Sequence, residues 1–246
     1  VSAGPALGGV LAESYGFRTP FVVVACGALL TSVYGWLRLQ ETRDPNSAAV
    51  KEKPEINRQQ RRAFFRSRSM VAVGIFSMSV FSIRGSRQSL VPLFANDEFG
   101  FGAGEIGLIF TGLGLVGLML IAPAGWLADR LGRKPLIVPA GYFAAVGVVT
   151  AAFAPSAQWF IGGLLFSAIG TGISGPAPAA FVADIAPEQL RGSAMGTYRT
   201  WGDLGIVLSP PLSGALADAT SISWALAANG ALLALAATWF LVAVDE

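Results

Sequence analysis

The sequence predicts an all-α polytopic membrane protein, and three observations carry this fold class. Hydrophobic residues make up 53% of the chain and charged residues only 13%, whereas soluble domains are about one quarter charged. The apolar residues fall into runs of about 20, the length that a helix needs to cross a bilayer. Lys and Arg concentrate in alternate connections between these runs, as they do where cytoplasmic loops are basic.

The predicted topology is one partial transmembrane span followed by seven full spans. The partial span is the opening stretch, which runs into a turn at 13–18. Five full spans are free of charge and two are interrupted by charged residues. The charge-free spans are 19–37, 106–128, 135–154, 159–183 and 222–244, and the interrupted ones are 70–95 and 193–217.

The basic residues predict how these spans are oriented. Twelve Lys or Arg residues lie in the connections 39–69, 129–134 and 184–192, but only Arg18 lies in the alternate connections. Because positively charged loops stay in the cytoplasm, we expect a multi-pass protein of the cytoplasmic (plasma) membrane with a cytoplasmic central loop. The basic stretch 57–69 is interpreted as part of this signal. An interfacial helix on anionic lipid is the alternative, and no nucleic-acid partner is expected.

A weak internal repeat predicts how the chain is organised. Gly4–Glu13 (GPALGGVLAE) resembles Ser209–Asp218 (SPPLSGALAD), and CGALL at 26–30 resembles NGALL at 229–233. Two similar helical halves produce such repeats, although chance similarity between Gly-rich helices is the alternative. We therefore expect a piece of a longer chain. Residues 1–38 would end an N-terminal bundle whose missing helices precede Val1, 39–69 would join the bundles, and 70–246 would form a C-terminal six-helix bundle.

The stretch GWLADRLGRKP at Gly125–Pro135 lies in a short cytoplasmic connection between two spans. It places one carboxylate beside three cations, and its glycines allow a tight turn and a close approach of helices. Such a cluster can hold helices together in one conformation and release them in another. The residues of this predicted conformational switch are Gly125, Asp129, Arg130, Gly132, Arg133 and Lys134.

This stretch resembles the signature of the major facilitator superfamily, G-x-L-A-D-R-x-G-R-[RK]. The resemblance implies a family-type helical bundle in which this chain supplies a partial fifth helix through the twelfth. A second resemblance is to the fifth-helix pattern G-P-x-x-G-G of proton-coupled antiporters and drug exporters. The matching residues are Gly4, Pro5, Gly8 and Gly9. Ordinary close packing along Gly4 and Gly8 is the alternative interpretation.

Charged residues within the interrupted spans are candidates for substrate binding or ion coupling, because such residues are costly in a membrane. Arg84 and Arg87 are three residues apart and are expected on one helix face. They could form a cationic wall for a polar or anionic substrate, or half of an outer gate. The alternative is that they snorkel outward or pair with Asp97, Glu98 or another helix.

The second interrupted span carries Arg199 and Asp203, four residues apart. Asp203 falls near the predicted midplane, where a carboxylate can gain and lose a proton as access alternates, so it is the candidate for proton coupling. A structural ion pair with Arg199 is the alternative. Two Gly- and Pro-rich stretches, Gly170–Ala180 and Ser209–Gly214, predict irregular backbone at membrane depth that lines an interface or pathway.

These features predict a secondary active transporter that moves a small-molecule substrate by alternating access, with proton-coupled efflux favoured. A symporter or uniporter for a sugar or organic anion is the alternative, as is a membrane receptor or scaffold that does not transport. The chain has no His and one Cys, and it contains no nucleophile paired with a base. We therefore expect neither an enzyme nor a metal or organic cofactor. The expected partners are the substrate, the lipid bilayer and the missing N-terminal helices.

Overall fold

The structure, a computed structural model, describes residues 4–16, 18–38 and 57–244. Within these ranges the chain forms ten α-helices and a short 3-10 turn, with no strand, which confirms the predicted fold class. The helices are α1 Gly4–Tyr15, α2 Arg18–Arg38, α3 Arg58–Phe65, α4 Arg68–Phe99, α5 Ala103–Leu131, α6 Lys134–Ala152, α7 Ala157–Ile173, α8 Ala177–Ile185, α9 Arg191–Ala219 and α10 Ile222–Ala243.

Six helical segments of the described residues are long and apolar enough to cross a membrane: α2, α4, α5, α6, the combined α7 and α8, and α10. The predicted span 193–217 also forms a helix of sufficient length, since α9 has 29 residues. Its charged, Gly and Ser residues make it less apolar than the others. It lies along α4, which carries the other interrupted span.

The centre of the structure is α4, which packs against α9 and α10, while α6 packs against α7 and α10. Phe76, Phe160 and Phe240 are completely buried there. The Phe240 ring centroid lies 5.8 Å from that of Phe76 and 5.3 Å from that of Phe181, a spacing that suits aromatic pairs. These rings fix helices α4, α8 and α10 relative to one another.

Glycines bring α6 and α7 into backbone contact. A Cβ atom at Gly147 would overlap the backbone of Ser167, one at Gly163 would overlap Ala151, and one at Gly170 would overlap Ala144. Small residues at such positions let helices approach closely enough for van der Waals contact to stabilise the pair in lipid.

Helices α4 and α9 are also in direct backbone contact. A Cβ atom at Gly205 would overlap the Met78 carbonyl, and one at Gly85 would lie 2.9 Å from the Ile206 carbonyl oxygen. Pro210 has no N–H to donate to the Ile206 carbonyl, and that carbonyl lies against Gly85. Helix α9 therefore continues through Pro210 and Pro211, and the predicted irregular backbone at Ser209–Gly214 is wrong.

A buried polar cluster joins α4, α9 and α10. The Ser82 hydroxyl donates to Asn229 Oδ1 at 2.8 Å, and Asn229 Nδ2 donates to Ser213 Oγ at 2.9 Å. The Ser209 hydroxyl donates to the Ser82 carbonyl at 2.7 Å. Hydrogen bonds of this kind satisfy polar groups that would otherwise be costly in an apolar medium.

The helices before the central loop are far less enclosed than those after it. Helix α2 has no buried residue, and α1 packs mainly on α5. After the loop's undescribed portion, α3 exposes its arginines, whereas Phe64 and Phe65 are half-buried against the core. Binding of α3 to anionic lipid stays a prediction.

Candidate functional site

The first candidate site is a cavity between α4, α9 and the junction of α7 with α8. It is small, with a volume of about 40 Å³. The cavity combines aromatic walls with hydroxyl groups and one guanidinium, and its lining includes Ser77, Phe81, Arg84, Ser174, Pro178 and Tyr198. Such a lining can contact one end of an organic molecule through its rings and orient that end through a few polar groups.

The wall formed by α7 and α8 is a break in the helix. Helix α7 ends at Ile173 and α8 begins at Ala177, as the Gly- and Pro-rich stretch Gly170–Ala180 predicts. The Ser174 hydroxyl donates to the Gly170 carbonyl at 3.0 Å, and the Gly175 N–H donates to the Gly172 carbonyl at 3.3 Å. Non-helical backbone at membrane depth is tolerated where it lines a cavity or packs on protein, and Ser174 and Gly175 both line this one.

Arg84 supplies the cavity's positive charge. Its Cζ atom lies 5.0 Å from the centroid of the Phe81 ring, a cation–π geometry. Within the described residues it forms no ion pair, and it does not pair with Asp97 or Glu98. The Ser77 hydroxyl is buried beside it without a hydrogen-bond partner in the described structure. The cavity therefore presents unused donors to a ligand that carries acceptors.

Arg87 does not share this cavity, so the expected common face with Arg84 is wrong. Arg87 lies against a separate small void that Val148, Leu164 and Leu226 line from α6, α7 and α10. Its Nε and Nη1 atoms are buried without a partner among the described residues. Residues three apart on a helix differ by about 60° in direction. That offset is enough here to place them in different grooves of the bundle.

Arg199 and Asp203 lie on the exposed side of α9, whereas Tyr198, Gly202 and Gly205 face the core. The two charged side chains form no ion pair with each other. The alternative prediction, a structural ion pair between Arg199 and Asp203, is therefore wrong. Both charges are turned away from the helices that enclose the cavity. The role of Asp203 in proton coupling stays a prediction.

The second candidate site is the charged turn between α5 and α6. Arg133 Nη1 donates to Asp129 Oδ1 at 2.8 Å, and Arg133 Nε donates to Asp184 Oδ2 at 3.1 Å. We call these three residues the Arg133 cluster. The hydrogen bond to Asp184, and to a smaller extent the one to Asp129, raises the pKa of Arg133. The guanidinium therefore stays charged and ties the end of α5 to the end of α8.

The other residues of the predicted switch have separate roles. Gly132 ends α5 with φ of +92° and ψ of 168°, a conformation that only glycine adopts readily. The Arg130 guanidinium lies 4.1 Å from the Trp126 ring centroid, and Lys134 is the first residue of α6. Gly125 lies within α5, and a Cβ atom there would meet no described atom within 4 Å. The expected close approach at Gly125 is therefore not found among the described residues.

Sequence reasoning missed Asp184. This residue lies in the last turn of α8, 51 residues beyond Arg133, and no local pattern links the two. The available signal was weak. Asp184 is an acidic residue at the predicted cytoplasmic end of the span 159–183, in a connection whose one basic residue is Arg191.

The G-P-x-x-G-G residues lie on α1. A Cβ atom at Gly9 would lie 3.4 Å from the Ala103 carbonyl oxygen of α5, whereas one at Gly4 or Gly8 would meet no described atom within 4 Å. Pro5 is part of the same helix. Close packing in the described structure therefore occurs at Gly9, and the face expected from Gly4 and Gly8 has no described neighbour. The antiporter role of this pattern stays a prediction.

Comparison with known proteins gives relatives across most of the chain. It is 25% identical to the MFS-type transporter SLC18B1 of Mus musculus, covering 93% of this chain and 51% of that protein. It is 29% identical to Multidrug resistance protein 1 of Bacillus subtilis, covering 87% of this chain and 54% of that protein. The chain thus spans about half the length of these curated relatives.

A solved structure of a bacterial metal transporter superimposes on the whole chain with a TM-score of 0.68 at 18% identity, and the match covers 62% of that protein. This similarity shows a shared fold. The family model described as Major Facilitator Superfamily matches residues 78–246, which include the Arg133 cluster and most of the cavity lining. The chain belongs to the Major Facilitator Superfamily.

Proposed function

We propose that the full-length protein is a secondary active transporter that exports a small organic molecule in exchange for protons. Family membership and the relative named Multidrug resistance protein 1 support this proposal. The proposed location is the cytoplasmic membrane, with residues 39–69 as a cytoplasmic loop and with 1–38 and 70–246 in separate bundles. The substrate would bind between the bundles and become accessible to each side of the membrane in turn.

The observation that carries the proposal is the cavity at the break between α7 and α8. A helix break, a tyrosine and an unpaired arginine converge there within the apolar bundle. Irregular backbone at membrane depth is tolerated where it lines a cavity or packs on protein, and a charge within a span usually marks a substrate or ion pathway. The cavity would form the C-terminal half of the substrate site.

The Arg133 cluster would act as the conformational switch at the cytoplasmic end. Its ion pairs join α5 to α8, and α8 carries one wall of the cavity. A change at the break between α7 and α8 would therefore alter the position of Asp184 relative to Arg133. The exposed carboxylates of Asp129 and Asp184 can exchange partners when α8 moves relative to α5.

Asp203 is the proposed proton carrier, and its substitution tests the coupling. The full-length protein would be reconstituted in liposomes with an imposed pH gradient, and ethidium would serve as the substrate probe. We expect Asp203→Asn to abolish gradient-driven ethidium movement and to leave protein yield unchanged. Asp218→Asn is the matched control, because Asp218 lies on the same helix near its outer end. Wild-type coupling in Asp203→Asn would exclude the proposed role.

A second candidate function is transport of an organic anion, which the unpaired guanidinium of Arg84 favours. Fluorescein, an anionic probe, would be compared with ethidium in the same liposomes. If the substrate is anionic, Arg84→Gln should impair fluorescein uptake strongly and Arg84→Lys should impair it less, because Lys keeps the charge but loses the planar donor array. Transport of ethidium alone, with no effect of Arg84→Gln, would reject the anion carrier.

A further inference from the structure

We propose that Glu13 is a latch that holds the outer ends of the two bundles together. Glu13 lies near the end of α1, and its Oε1 atom accepts a hydrogen bond from the Gly104 N–H at 2.8 Å. This contact joins residues 91 positions apart. The inference rests on the proposed function, in which α1 and α5 belong to different bundles that separate at the outer side during transport.

The geometry at the start of α5 suits a carboxylate. Gly104 is the second residue of the helix, so its N–H has no partner within the helix. A negative charge at this end is also favoured by the helix dipole. Glu13 thus satisfies an otherwise unpaired donor and places its charge where the helix stabilises it.

The absence of a side chain at Gly104 leaves room for the Glu13 carboxylate. A Cβ atom at Gly104 would lie 2.6 Å from Glu13 Oε1, so any side chain there would displace the carboxylate. One turn earlier in α1, Gly9 faces the Ala103 carbonyl and the Gly104 Cα atom, the latter 3.6 Å from a Cβ placed at Gly9. Gly9 thus packs against the start of α5 at ordinary contact distances.

The neighbouring Glu105 provides an internal comparison. Its Oε2 atom accepts from the Gly102 N–H at 2.9 Å, so it caps the start of α5 from within the same helix. Glu105 and Glu13 both cap the start of α5, but only Glu13 reaches it from another helix. Loss of either weakens one cap, whereas loss of Glu13 alone removes a connection between the predicted bundles.

The experiment measures the separation of the outer ends in the full-length protein. Cys26 is replaced by Ser, and spin labels are attached at Tyr15→Cys and Gly102→Cys, two exposed positions that flank the latch. Pulsed dipolar spectroscopy in lipid nanodiscs then reports the fractions of short and long label distances. We expect mostly short distances with Glu13 intact.

Glu13→Ala should raise the ratio of long to short distances about fivefold, the size expected from loss of one capping carboxylate. Gly104→Ala should raise the ratio by less, because its Cβ meets only the flexible end of the Glu13 side chain, and it should have no effect in the Glu13→Ala background. Glu105→Ala should leave the ratio unchanged, and so should Gly9→Ala, whose added Cβ makes only ordinary contacts.

An unchanged ratio in Glu13→Ala, or an equal change in Glu105→Ala, would overturn the latch. If Glu13→Ala does not fold, Glu13→Gln and Gly104→Ala are measured in its place. Glu13→Gln keeps the acceptor and loses only the charge. An unchanged ratio in both variants would then overturn the latch. Ethidium transport measured on the same preparations separates the two proposals. If the wild-type protein transports ethidium but Glu13→Ala leaves the distance ratio unchanged, the latch alone is rejected. If Glu13→Ala changes the ratio but the wild-type protein does not transport ethidium, the proposed substrate or function is rejected.

Discussion

The two ends of α5 use charge in different ways. At the predicted outer end, the helix start binds one carboxylate from its own first turn, Glu105, and one from α1, Glu13. At the predicted inner end, Asp129 binds Arg133 in the following turn, and Arg133 binds Asp184 of α8. The outer contact crosses to a helix that precedes the central loop, whereas the inner contacts join helices that all follow it.

This difference indicates which contacts can respond to a rearrangement of the predicted bundles. Separation of the outer ends has to break the Glu13 hydrogen bond. The Arg133 cluster can stay intact during that movement, because all its members belong to 70–246. Substitutions at the inner end should therefore alter the stability and switching of the C-terminal helices, and those at the outer end should alter bundle separation.

The largest effect at the inner end is expected from Gly132→Ala. With φ of +92° and ψ of 168° at this position, a Cβ atom should cost roughly 1–3 kcal/mol in unfolding free energy. Thermal unfolding in detergent measures this loss of stability as a lower melting temperature. Gly125→Ala is the control, since this helical glycine has open space around it and alanine there should stabilise by up to about 1 kcal/mol. Equal melting temperatures for the two variants would contradict the assigned turn.

Arg133→Ala should have the next largest effect, because it removes both hydrogen bonds of the cluster. We expect turnover of the reconstituted protein to fall by up to roughly thirtyfold if each of the two exposed ion pairs contributes up to about 1 kcal/mol to one conformation. Arg133→Lys should recover part of the loss, since a single ammonium cannot present the same two nitrogens. Arg130→Ala, which removes only the contact with Trp126, should retain turnover. Normal turnover in Arg133→Ala would exclude the switch.

Asp184→Asn should have a smaller effect than Arg133→Ala, because one of the two contacts to Arg133 remains. An exposed pair of this kind contributes about 0.2–1 kcal/mol, so turnover should fall by less than about fivefold. Asp129→Asn provides the comparison at the other carboxylate. Turnover below that of Arg133→Ala in either variant would show that the carboxylate acts on something other than Arg133.

The smallest effect is expected at the outer end from Glu105→Gln. The amide oxygen can still accept from the Gly102 N–H, so only the interaction of the charge with the helix dipole is lost. For an exposed site this amounts to about 0.3 kcal/mol, which chemical unfolding against the wild type can bound. A destabilisation above about 1 kcal/mol would mean that Glu105 has a further partner.

The sequence predicted local features well and distant contacts poorly. Span positions, the Gly132 turn and the break at Gly170–Ala180 follow from apolar runs and from Gly and Pro chemistry, which act over a few residues. The contacts of Arg133 with Asp184 and of Glu13 with Gly104 depend on how separate helices pack, and no repeating pattern encodes them. Family resemblance supplied the switch residues but not their partners.

Two errors have a common physical origin. The sequence predicts a broken backbone around Pro210 and a shared face for Arg84 and Arg87, because each prediction treats a helix in isolation. In the structure, a neighbouring glycine accommodates the carbonyl that Pro210 leaves unpaired. Arg84 and Arg87 lie in different grooves beside α4. The neighbouring helices decide both outcomes.

The contact of Gly85 and Gly205 with the backbone of the facing helix has a mechanical consequence. Gly85 and Gly205 have no side chains, so nothing interlocks with the facing helix where α4 meets α9 at these positions. A small tilt of α9 would need no rotamer exchange there, unlike a tilt across the aromatic rings around Phe240. The hydrogen bond from the Ser209 hydroxyl to the Ser82 carbonyl lies at the same interface, so this polar contact, and not interlocking side chains, would resist a tilt of α9 at the two glycines.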